Sequence, residues 1–573
     1  MRDRSSIRVA AVQLASGDNL AANLKGCLRM IDRAAPLRPG LIVLPEFCNH
    51  VAWYEDRAHC FRVSVALNSG FLRAIAGKAS EHQTHVVINC TVQRDDGVAT
   101  GTSLLYGPDG ELRAASDKQL LMGHQNSFLQ RATAPGPVTA TEVGRLGLLT
   151  GTDGMVFETA RSLALRGAQI LCNSLGSAGR CHSDLHIPVR AAENRVFVVA
   201  ANKVGPLVPR ALLAAVSQAT GTPEHYLHGA GASQIVGPDG TVLARANASD
   251  EQVIWADIDP RQADDKRRLD TSDLFRSRRP DLYGPLVQAS APTAPYPSAP
   301  EVLVATATVA GGAWLPTVDE ALREAAAADV TLLVLPELAV VGTSVPNVTA
   351  AAQRCDAALE YLVRATRELG TDLGVVTTIV RDTVKGIRHT SVLVSGGTVV
   401  GYQDQLHPCA RHPWATPDHR VKTVDLPWGR VALIVGDDAL YPETFRLAAL
   451  AGAQVAAASF HAQEAWELQN GLLERAAENR LCLVAATRPT PVGNSIITTL
   501  HKDFTLATPW TERSFDGELS SPLVRRSTRS GLLIAPIHPA HANNKLLATA
   551  TDLLRDRPWA LSAALASPHD IGT

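Results

Sequence analysis

Short apolar runs alternate with helix-length amphipathic segments in the first part of this chain. Ile7 to Leu14 is aliphatic and predicts a strand, residues 18–35 have the spacing of an amphipathic helix, and Gly40 to Leu44 predicts a second strand. The second strand leads directly into Pro45-Glu46. Strand-length apolar runs separated by helix-length segments are typical of the buried sheets of α/β proteins. The pattern therefore predicts an α/β fold.

The same alternation continues downstream and adds two turn signals. Further elements are predicted as strands at 84–89, 103–106, 144–150, 169–173 and 196–201 and as a helix at 157–166. Pro108-Asp-Gly110 and Pro238-Asp-Gly240 lie between strand-like runs and favour tight hairpins. Hairpins join antiparallel strands, whereas helical crossovers join parallel ones, so the predicted sheets are mixed.

The chain contains an internal repeat. The segment Arg190-Ala-Ala-Glu-Asn-Arg195 recurs as Arg475-Ala-Ala-Glu-Asn-Arg480, and the same spacing separates Gly151 from Gly436. Self-similarity at a fixed offset indicates that one fold occurs twice. Between the copies, residues 280–300 are rich in Pro, Ala and Ser, a composition that favours an extended spacer. We therefore expect domain 1 at 1–285, a linker at 286–300 and domain 2 at 301–573.

Composition excludes several classes of protein. Of 573 residues, 46% are hydrophobic and 19% charged, which supplies two dense cores and argues against disorder. Lys plus Arg number 54 against 56 Asp plus Glu, so no excess basic charge favours nucleic acid or a membrane surface. The nine cysteines form no disulfide framework, and no apolar run reaches the roughly 20 residues of a membrane span. These features predict a cytoplasmic protein with reduced thiols.

Four ordered motifs connect the chain with a known family. They are Leu-Pro-Glu46 at a strand end, Lys118 after a hairpin, a Gly-Arg-Leu-Gly-Leu-Leu strand that runs into Asp153, and the duplicated Arg-Ala-Ala-Glu-Asn-Arg segment. This order resembles the nitrilase superfamily of carbon-nitrogen hydrolases. The resemblance implies a four-layer αββα sandwich in each copy, the two copies forming a pseudo-dimer. It also implies a Glu, Lys, Cys triad that acts on amides, nitriles or carbamoyl compounds without a cofactor.

Carried onto copy 1, the family pattern assigns a role to each matching position. Glu46 is the expected general base, Lys118 is the expected stabiliser of the oxyanion, and Gly151 stands where the cysteine nucleophile should be. Gln130 falls at a position that is acidic in many members, and Asp153 completes the Cys-x-Asp motif; both are candidate substrate-binding residues. The chemistry needs a thiolate, a carboxylate that moves its proton and an ammonium near the developing charge.

Copy 2 departs further from the pattern. Glu337 follows Leu335-Pro336 as the expected base, and Gly436 again stands at the nucleophile position. The lysine position falls on Gln405, or on Asp404 with one residue of slippage, and neither is a cation. Removing a covalent nucleophile costs on the order of a million-fold in turnover, so both copies are expected to have lost efficient thioester chemistry.

Other side chains are weaker candidates. Cys48 and Cys172 are possible replacement nucleophiles or binding residues, and Thr150 and Thr152 place hydroxyls beside Gly151. Two groups superficially suggest a metal: Cys181, His182 and His186, and His407, Cys409 and His412. Neither has the paired spacing of a zinc site, so we expect no metal. The duplicated Arg-Ala-Ala-Glu-Asn-Arg residues are expected to brace helix and strand.

Three hypotheses follow from these residues. In the first, the chain is a tandem protein with degraded triads that binds a small amide, nitrile or carboxylate, or serves a partner protein as a scaffold. In the second, it is an active carbon-nitrogen hydrolase that uses Glu46 and Lys118 with an unusual nucleophile or activated water. In the third, its role is purely structural and rests on assembly, including a homo-oligomer, through the family's interfaces. The first is preferred because the nucleophile is missing twice.

Overall fold

The computed structural model describes residues 6–290, 295–309, 314–505, 510–527 and 531–568. The chain forms two compact units that do not follow the sequence boundaries. Unit 1 comprises residues 1–266, 503–520 and 546–565, and unit 2 comprises residues 267–502, 521–545 and 566–573. Residues 267–285 belong to unit 2.

Buried ion pairs explain where the segment after residue 266 packs. The Arg268 guanidinium contacts Asp437 at 3.0 Å and Glu467 at 2.6 Å. Farther along, Arg278 Nε donates to Glu443 Oε1 at 3.0 Å, with both side chains buried. Composition marks the spacer but carries no information about these long-range partners. Within the predicted linker, residues 291–294 lie outside the described residues. A turn of 3₁₀ helix, Gly284–Val287, overlaps the start of the linker.

Unit 1 contains two six-stranded sheets. The strands are β1 (Ile7–Gln13), β2 (Leu41–Val43), β3 (His85–Gln93), β4 (Ala99–Tyr106), β5 (Leu112–Asp117), β6 (Val138–Thr141), β7 (Gly144–Thr150), β8 (Ile170–Ser174), β9 (Phe197–Ala201), β10 (Gln234–Val236), β11 (Val242–Arg245) and β12 (Gln252–Ile258). The first sheet has the order β12-β1-β2-β3-β4-β5 and the second β11-β10-β9-β8-β7-β6. Both sheets mix parallel and antiparallel pairs, as the turn signals predicted.

Helices cover the two sheets of unit 1. They are α1 (Leu20–Ala34), α2 (Arg57–Val63), α3 (Gly70–Glu81), α4 (Gln125–Phe128), α5 (Phe157–Leu165), α6 (Ile187–Asn194) and α7 (Leu213–Thr220). Helix α1 begins where the Asn19 side chain accepts a hydrogen bond from the Ala22 amide, and its apolar face packs with α3 on the first sheet. Helices α5 and α6 pack together, and α5 contacts β7 of the second sheet. Strands of the two sheets contact each other, which gives the αββα layering.

Unit 2 repeats the arrangement. Its strands are β13 (Val302–Thr308), β14 (Leu332–Val334), β15 (Gly374–Thr383), β16 (Gly386–Ser395), β17 (Thr398–Asp404), β18 (Thr423–Leu426), β19 (Gly429–Val435), β20 (Val455–Ser459), β21 (Cys482–Ala486), β22 (Ile496–Thr499), β23 (Leu523–Arg526) and β24 (Gly531–Ile537). Its helices are α8 (Trp314–Ala327), α9 (Val348–Leu369), α10 (Pro442–Leu450) and α11 (Leu472–Asn479). The sheet orders are β17-β16-β15-β14-β13-β24 and β18-β19-β20-β21-β22-β23. A short hairpin, β25 (Leu546–Ala548) with β26 (Thr551–Asp552), belongs to unit 1.

The predicted α/β sandwich, present twice, is confirmed, and the predicted elements agree closely with the observed ones. The strand predicted at 144–150 has those bounds, and the helix predicted at 18–35 spans Leu20–Ala34. Strands that are buried on both faces, such as β8, are found within one residue of their predicted bounds because they are continuous apolar runs. In the part of the chain that the structure describes, no helix combines the length and the apolar character needed to cross a bilayer.

Candidate functional site

Glu46 lies just beyond the carboxyl end of β2, and the backbone turns sharply after it. Phe47 has φ +49, a left-handed conformation that costs a non-glycine residue about 1–2 kcal/mol. The turn is held by hydrogen bonds from the Glu46 amide to Leu175 O at 3.0 Å and from the Phe47 amide to Asn89 Oδ1 at 2.9 Å. Leu338 after Glu337 has φ +45, so both units build the same turn to direct a buried carboxylate.

Lys118 reaches Glu46 from the end of β5. Its amide donates to Gly101 O at 2.8 Å, and its Nζ lies 2.6 Å from Glu46 Oε1. The ammonium also lies 5.4 Å from the centre of the Phe47 ring. Both charged side chains are almost fully buried, with exposures of 1% for Lys118 and 6% for Glu46. The structure thus brings together the predicted base and the predicted oxyanion stabiliser as a buried ion pair.

Gly151 follows β7 and faces this ion pair. Its φ is +51, and a Cβ atom built on it would lie 2.3 Å from Glu46 Oε1 and 2.6 Å from Oε2. Carbon and oxygen atoms that are not bonded do not approach so closely, so no side chain fits here unless Glu46 moves. The space above Gly151 is therefore occupied by the Glu46 carboxylate.

Asp153 has a different surrounding. Its carboxylate accepts hydrogen bonds from the backbone amides of Gln119 and Leu120, at 3.1 and 2.8 Å, directly after Lys118. Burial raises the pKa of Asp153 to about 7, although these amides and the charge of Lys118 lower it in part. Its visible role is to fix the loop that carries Lys118. Gln130, by contrast, is exposed, so the structure does not bring it into the buried centre.

The candidate thiols are enclosed in the core. Cys48 is fully buried and its Sγ lies 3.2 Å from Pro45 O. Burial raises the pKa of Cys172 to about 12, so this thiol is protonated at neutral pH and is a poor nucleophile. Thr152 is also engaged, since its hydroxyl donates to Leu120 O at 2.6 Å. None of these contacts prepares a nucleophile.

The duplicated Arg-Ala-Ala-Glu-Asn-Arg segment makes bracing contacts. Arg190 pairs with Glu193 and its Nε donates to Gly154 O at 3.0 Å, which fastens helix α6 to the turn after Gly151. Asn194 Nδ2 donates to Arg190 O at 2.9 Å, and Asn479 donates to Arg475 O at the same distance in unit 2. The repeat therefore reflects a shared packing requirement.

Hydrogen bonds establish which residues of unit 2 correspond to those of unit 1. Asp438 accepts from the backbone amides of Leu406 and His407, as Asp153 does from the two residues after Lys118. The backbone amide of Gln405 donates to His389 O at 2.8 Å, as the backbone amide of Lys118 does to Gly101 O. Gln405 therefore stands in place of Lys118, the first of the two predicted alternatives, and His389 stands in place of Gly101.

Glu337 in unit 2 meets different partners from Glu46. Arg411 Nη1 donates to Glu337 Oε2 at 3.0 Å, and the same guanidinium pairs with Asp437. On the other side, His389 Nε2 lies 3.9 Å and His412 Nδ1 3.7 Å from Glu337 Oε1. Burial opposes ionisation of Glu337, but Arg411 and the imidazoles outweigh it and lower the pKa.

The sequence motifs did not identify the group formed by Glu337, His389 and His412. His407 has both ring nitrogens occupied, by Asp438 at 2.8 Å and by the Tyr283 hydroxyl at 2.6 Å, so it is not an available ligand. Of the predicted weak set, only His412 joins Glu337 and His389. One signal was present: Gly101-Thr-Ser in copy 1 corresponds to His389-Thr-Ser in copy 2. Unit 1 likewise contains a buried lysine that no motif indicated, Lys203, whose Nζ donates to Phe47 O at 3.1 Å.

Comparisons with known proteins agree with this architecture. The family model for carbon-nitrogen hydrolases matches residues 8–268 and 309–521. A nitrilase from Pyrococcus abyssi is 25% identical over 255 residues, which cover 44% of this chain and 90% of that protein. Human deaminated glutathione amidase is 28% identical over 301 residues, which cover 48% of this chain and 84% of the amidase. The crystal structure of the Caenorhabditis elegans NitFhit protein is 24% identical, covers 48% of this chain and 66% of that chain, and has a TM-score of 0.42.

Proposed function

The chain belongs to the carbon-nitrogen hydrolase family, and from that premise we propose that it is a tandem member whose catalytic centres no longer form thioesters. Its role is then to bind a small amide, nitrile or carboxylate in unit 1, or to act as a non-catalytic subunit of a partner enzyme. Of these two roles, the non-catalytic subunit is preferred, because Glu46 and Lys118 form a buried ion pair with each other.

The observation that carries this proposal is the position of Glu46 relative to Gly151. A Cβ atom at residue 151 would lie 2.3 Å from Glu46 Oε1. A family member with a cysteine at this position needs that volume for its nucleophile, and here the base itself takes it. The same relation recurs in unit 2, where a Cβ at Gly436 would lie 2.3 Å from Glu337 Oε1. Both centres are arranged around the absence of a side chain.

Charge supports the same interpretation. A general base must be free to accept a proton, and here one oxygen of the Glu46 carboxylate is held at 2.6 Å by the buried ammonium of Lys118. Breaking this pair to engage a substrate leaves a buried charge without compensation, which costs about 3–5 kcal/mol. The pair therefore favours a structural role.

The alternative is an active hydrolase in which Glu46 activates a water molecule and Lys118 stabilises the oxyanion. It is favoured by the retention of both residues in contact. It is also favoured by a second buried cation, Lys203. Burial lowers the pKa of Lys203, and Glu46 is one of the groups that oppose this lowering. Relatives named as a nitrilase and a deaminated glutathione amidase give the substrate classes to examine.

The test is a hydrolysis assay with the full chain. Deaminated glutathione, simple aliphatic amides and aliphatic nitriles are incubated with the wild type and with Glu46→Gln, and ammonia release is measured. We expect no release above that of a heat-denatured control. Turnover that Glu46→Gln abolishes, with circular dichroism and melting temperature retained, would establish the alternative. Turnover that persists in Glu46→Gln would place the activity outside this centre.

Binding is examined separately from turnover. The same compounds are added in a thermal-shift experiment, because a ligand that binds only the native state raises the melting temperature. A shift in the wild type that is lost in Lys118→Met supports a binding role for unit 1. A shift of equal size in both proteins rules out this centre as the binding site and leaves the non-catalytic subunit role.

A further inference from the structure

We propose that unit 2 binds a divalent transition-metal ion, of which Zn²⁺ fits best, through Glu337, His389 and His412. These side chains are buried, and one ligand atom from each lies within 4.8 Å of the other two. The two imidazole nitrogens lie 3.9 and 3.7 Å from Glu337 Oε1. Ligand atoms around tetrahedral zinc, with bonds of about 2.0–2.2 Å, are separated by about 3.4 Å. Shifts of about half an ångström or less therefore bring each imidazole nitrogen to this separation from Glu337 Oε1.

The polar atoms that face one another here have no other partners. Across the described ranges of the chain, Glu337 Oε1, His389 Nε2 and both ring nitrogens of His412 make no hydrogen bond of normal geometry. The Thr343 backbone lies near His412, outside normal hydrogen-bonding geometry. A buried polar atom without a partner costs about 1–3 kcal/mol, and such atoms are rare in native proteins. One cation at their centre would satisfy three of them together.

A second set of contacts prepares His389 as a ligand. Gln405 Nε2 donates to His407 O at 2.6 Å, which leaves its Oε1 to accept from His389 Nδ1 at 2.7 Å. The proton of the imidazole is thereby placed on Nδ1, and the Nε2 lone pair faces Glu337. Metal-bound histidines usually donate their second nitrogen in this way.

Comparison of the two units explains why a cation is needed in unit 2. In unit 1 the ammonium of Lys118 bonds Glu46 Oε1. In unit 2 the corresponding residue is Gln405, and its side chain turns to His389 instead. Arg411 contacts only Oε2 of Glu337, at 3.0 Å, and Asp437 pairs with the same guanidinium. The oxygen that the Lys118 ammonium contacts in unit 1 thus faces two imidazoles in unit 2.

Gly436 provides the space for this group. A Cβ atom at that position would lie 2.3 Å from Glu337 Oε1 and 3.1 Å from His389 Cε1. The glycine therefore has a second consequence besides the loss of a nucleophile, because it allows the imidazole and the carboxylate to converge. Two imidazoles and one carboxylate suit Zn²⁺ better than Mg²⁺ or Ca²⁺, which prefer oxygen ligands. Three protein ligands also leave a coordination position for water or a small molecule.

The experiment titrates the full chain, freed of metal with a chelator and dialysed, with Zn²⁺ by isothermal calorimetry, with Mg²⁺ in parallel. We expect one Zn²⁺ per chain and no heat from Mg²⁺. The variants His389→Gln and His412→Gln should each weaken Zn²⁺ binding by about 100-fold or more, since each removes a ligand. His419→Gln, which changes an exposed imidazole of the same unit, should bind as the wild type does.

Gln405→Leu tests the positioning role of the second contact. Loss of a partner behind a metal-bound histidine lowers affinity by about 10- to 100-fold, and we expect that range here. Co²⁺ absorption provides a readout that a purely structural defect would not produce, because the spectrum reports the number and type of ligands. The wild type should give a four- or five-coordinate spectrum that both histidine variants change.

The metal-free proteins serve as the control for correct folding. Each variant is compared with the wild type by circular dichroism and melting temperature, and Zn²⁺ should raise the melting temperature of the wild type alone. Should a histidine variant fail to fold, Glu337→Gln replaces it, because the amide keeps an oxygen for Arg411 while losing the charge. The proposal is overturned by a wild type that binds no stoichiometric Zn²⁺, by affinity retained in both histidine variants, or by equal loss in His419→Gln.

Discussion

The Nζ atom of Lys118 lies 2.6 Å from Oε1 of Glu46, and the paired carboxylate occupies the position to which residue 151 would direct a side chain. Unit 1 is thus organised around two charges that satisfy each other and a glycine that makes room for them. Unit 2 keeps the glycine and the carboxylate but replaces the ammonium with Gln405. These differences at corresponding positions make the two centres separately testable.

Restoring a side chain at the elbow should destabilise the protein and not create activity. In Gly151→Cys the new Cβ meets Glu46 at 2.3 Å in a backbone with φ +51. We expect a loss of about 2–4 kcal/mol in the free energy of unfolding, from strain and displacement of the ion pair. Urea denaturation measures it. Gly221→Ala, at φ +70 with no atom within 4 Å, is the matched control and should lose only about 1 kcal/mol. Equal losses would show that the carboxylate yields easily.

Removing one charge of the buried pair should cost more than removing both. Lys118→Met leaves the buried Glu46 carboxyl without its ion-pair partner, and we expect about 3–5 kcal/mol of destabilisation. The double variant Lys118→Met with Glu46→Gln should recover most of this loss, because neither charge of the pair remains. The exposed pair between Arg323 and Asp319 is the control, since Arg323→Ala should change stability by less than about 0.5 kcal/mol. Additive losses in the double variant would contradict a coupled pair.

The segment after residue 266 should be essential to unit 2. The side chain of Arg268 is fully buried between Asp437 and Glu467. Arg268→Leu therefore leaves Glu467 without its cation and Asp437 with Arg411 alone. The expected loss is about 3–5 kcal/mol, seen as a lowered melting transition of unit 2 by calorimetry. Arg276→Leu nearby removes a 64% exposed guanidinium and should have little effect. An unchanged thermogram for Arg268→Leu would argue against this packing.

Stability should fall as pH rises toward neutrality because of Asp153. Burial raises its pKa to about 7, whereas an unfolded aspartate has a pKa of about 3.9. Between these values the folded protein holds a proton that the unfolded chain has released. The stabilisation is therefore complete below pH about 4 and is lost as pH rises through about 7, with a slope of at most about 1.4 kcal/mol per pH unit. Asp153→Asn should flatten the slope measured by urea unfolding, whereas Asp264→Asn, at an exposed residue, should preserve it.

Local information in the sequence determined the elements and the duplication. Strands such as β7 and β8 are readable because each is a continuous apolar run, and periodicity depends only on neighbours along the chain. The repeat around Arg190 and Arg475 indicated the duplication, and the order of motifs such as Leu-Pro-Glu46 indicated the family and predicted the site positions. The Pro-rich composition marked the spacer. None of these inferences needed a contact between distant residues.

Only the tertiary structure decided which side chains converge. That Glu46 fills the space above Gly151, and that residues 267–285 pack in unit 2, depend on partners far apart in sequence. The group of Glu337, His389 and His412 comes from three separate elements, and no spacing rule connects them. Periodicity specifies which face of an element is buried, but burial alone does not specify the partner. In both centres, the tertiary structure therefore decides which group lies beside a buried charge and compensates it.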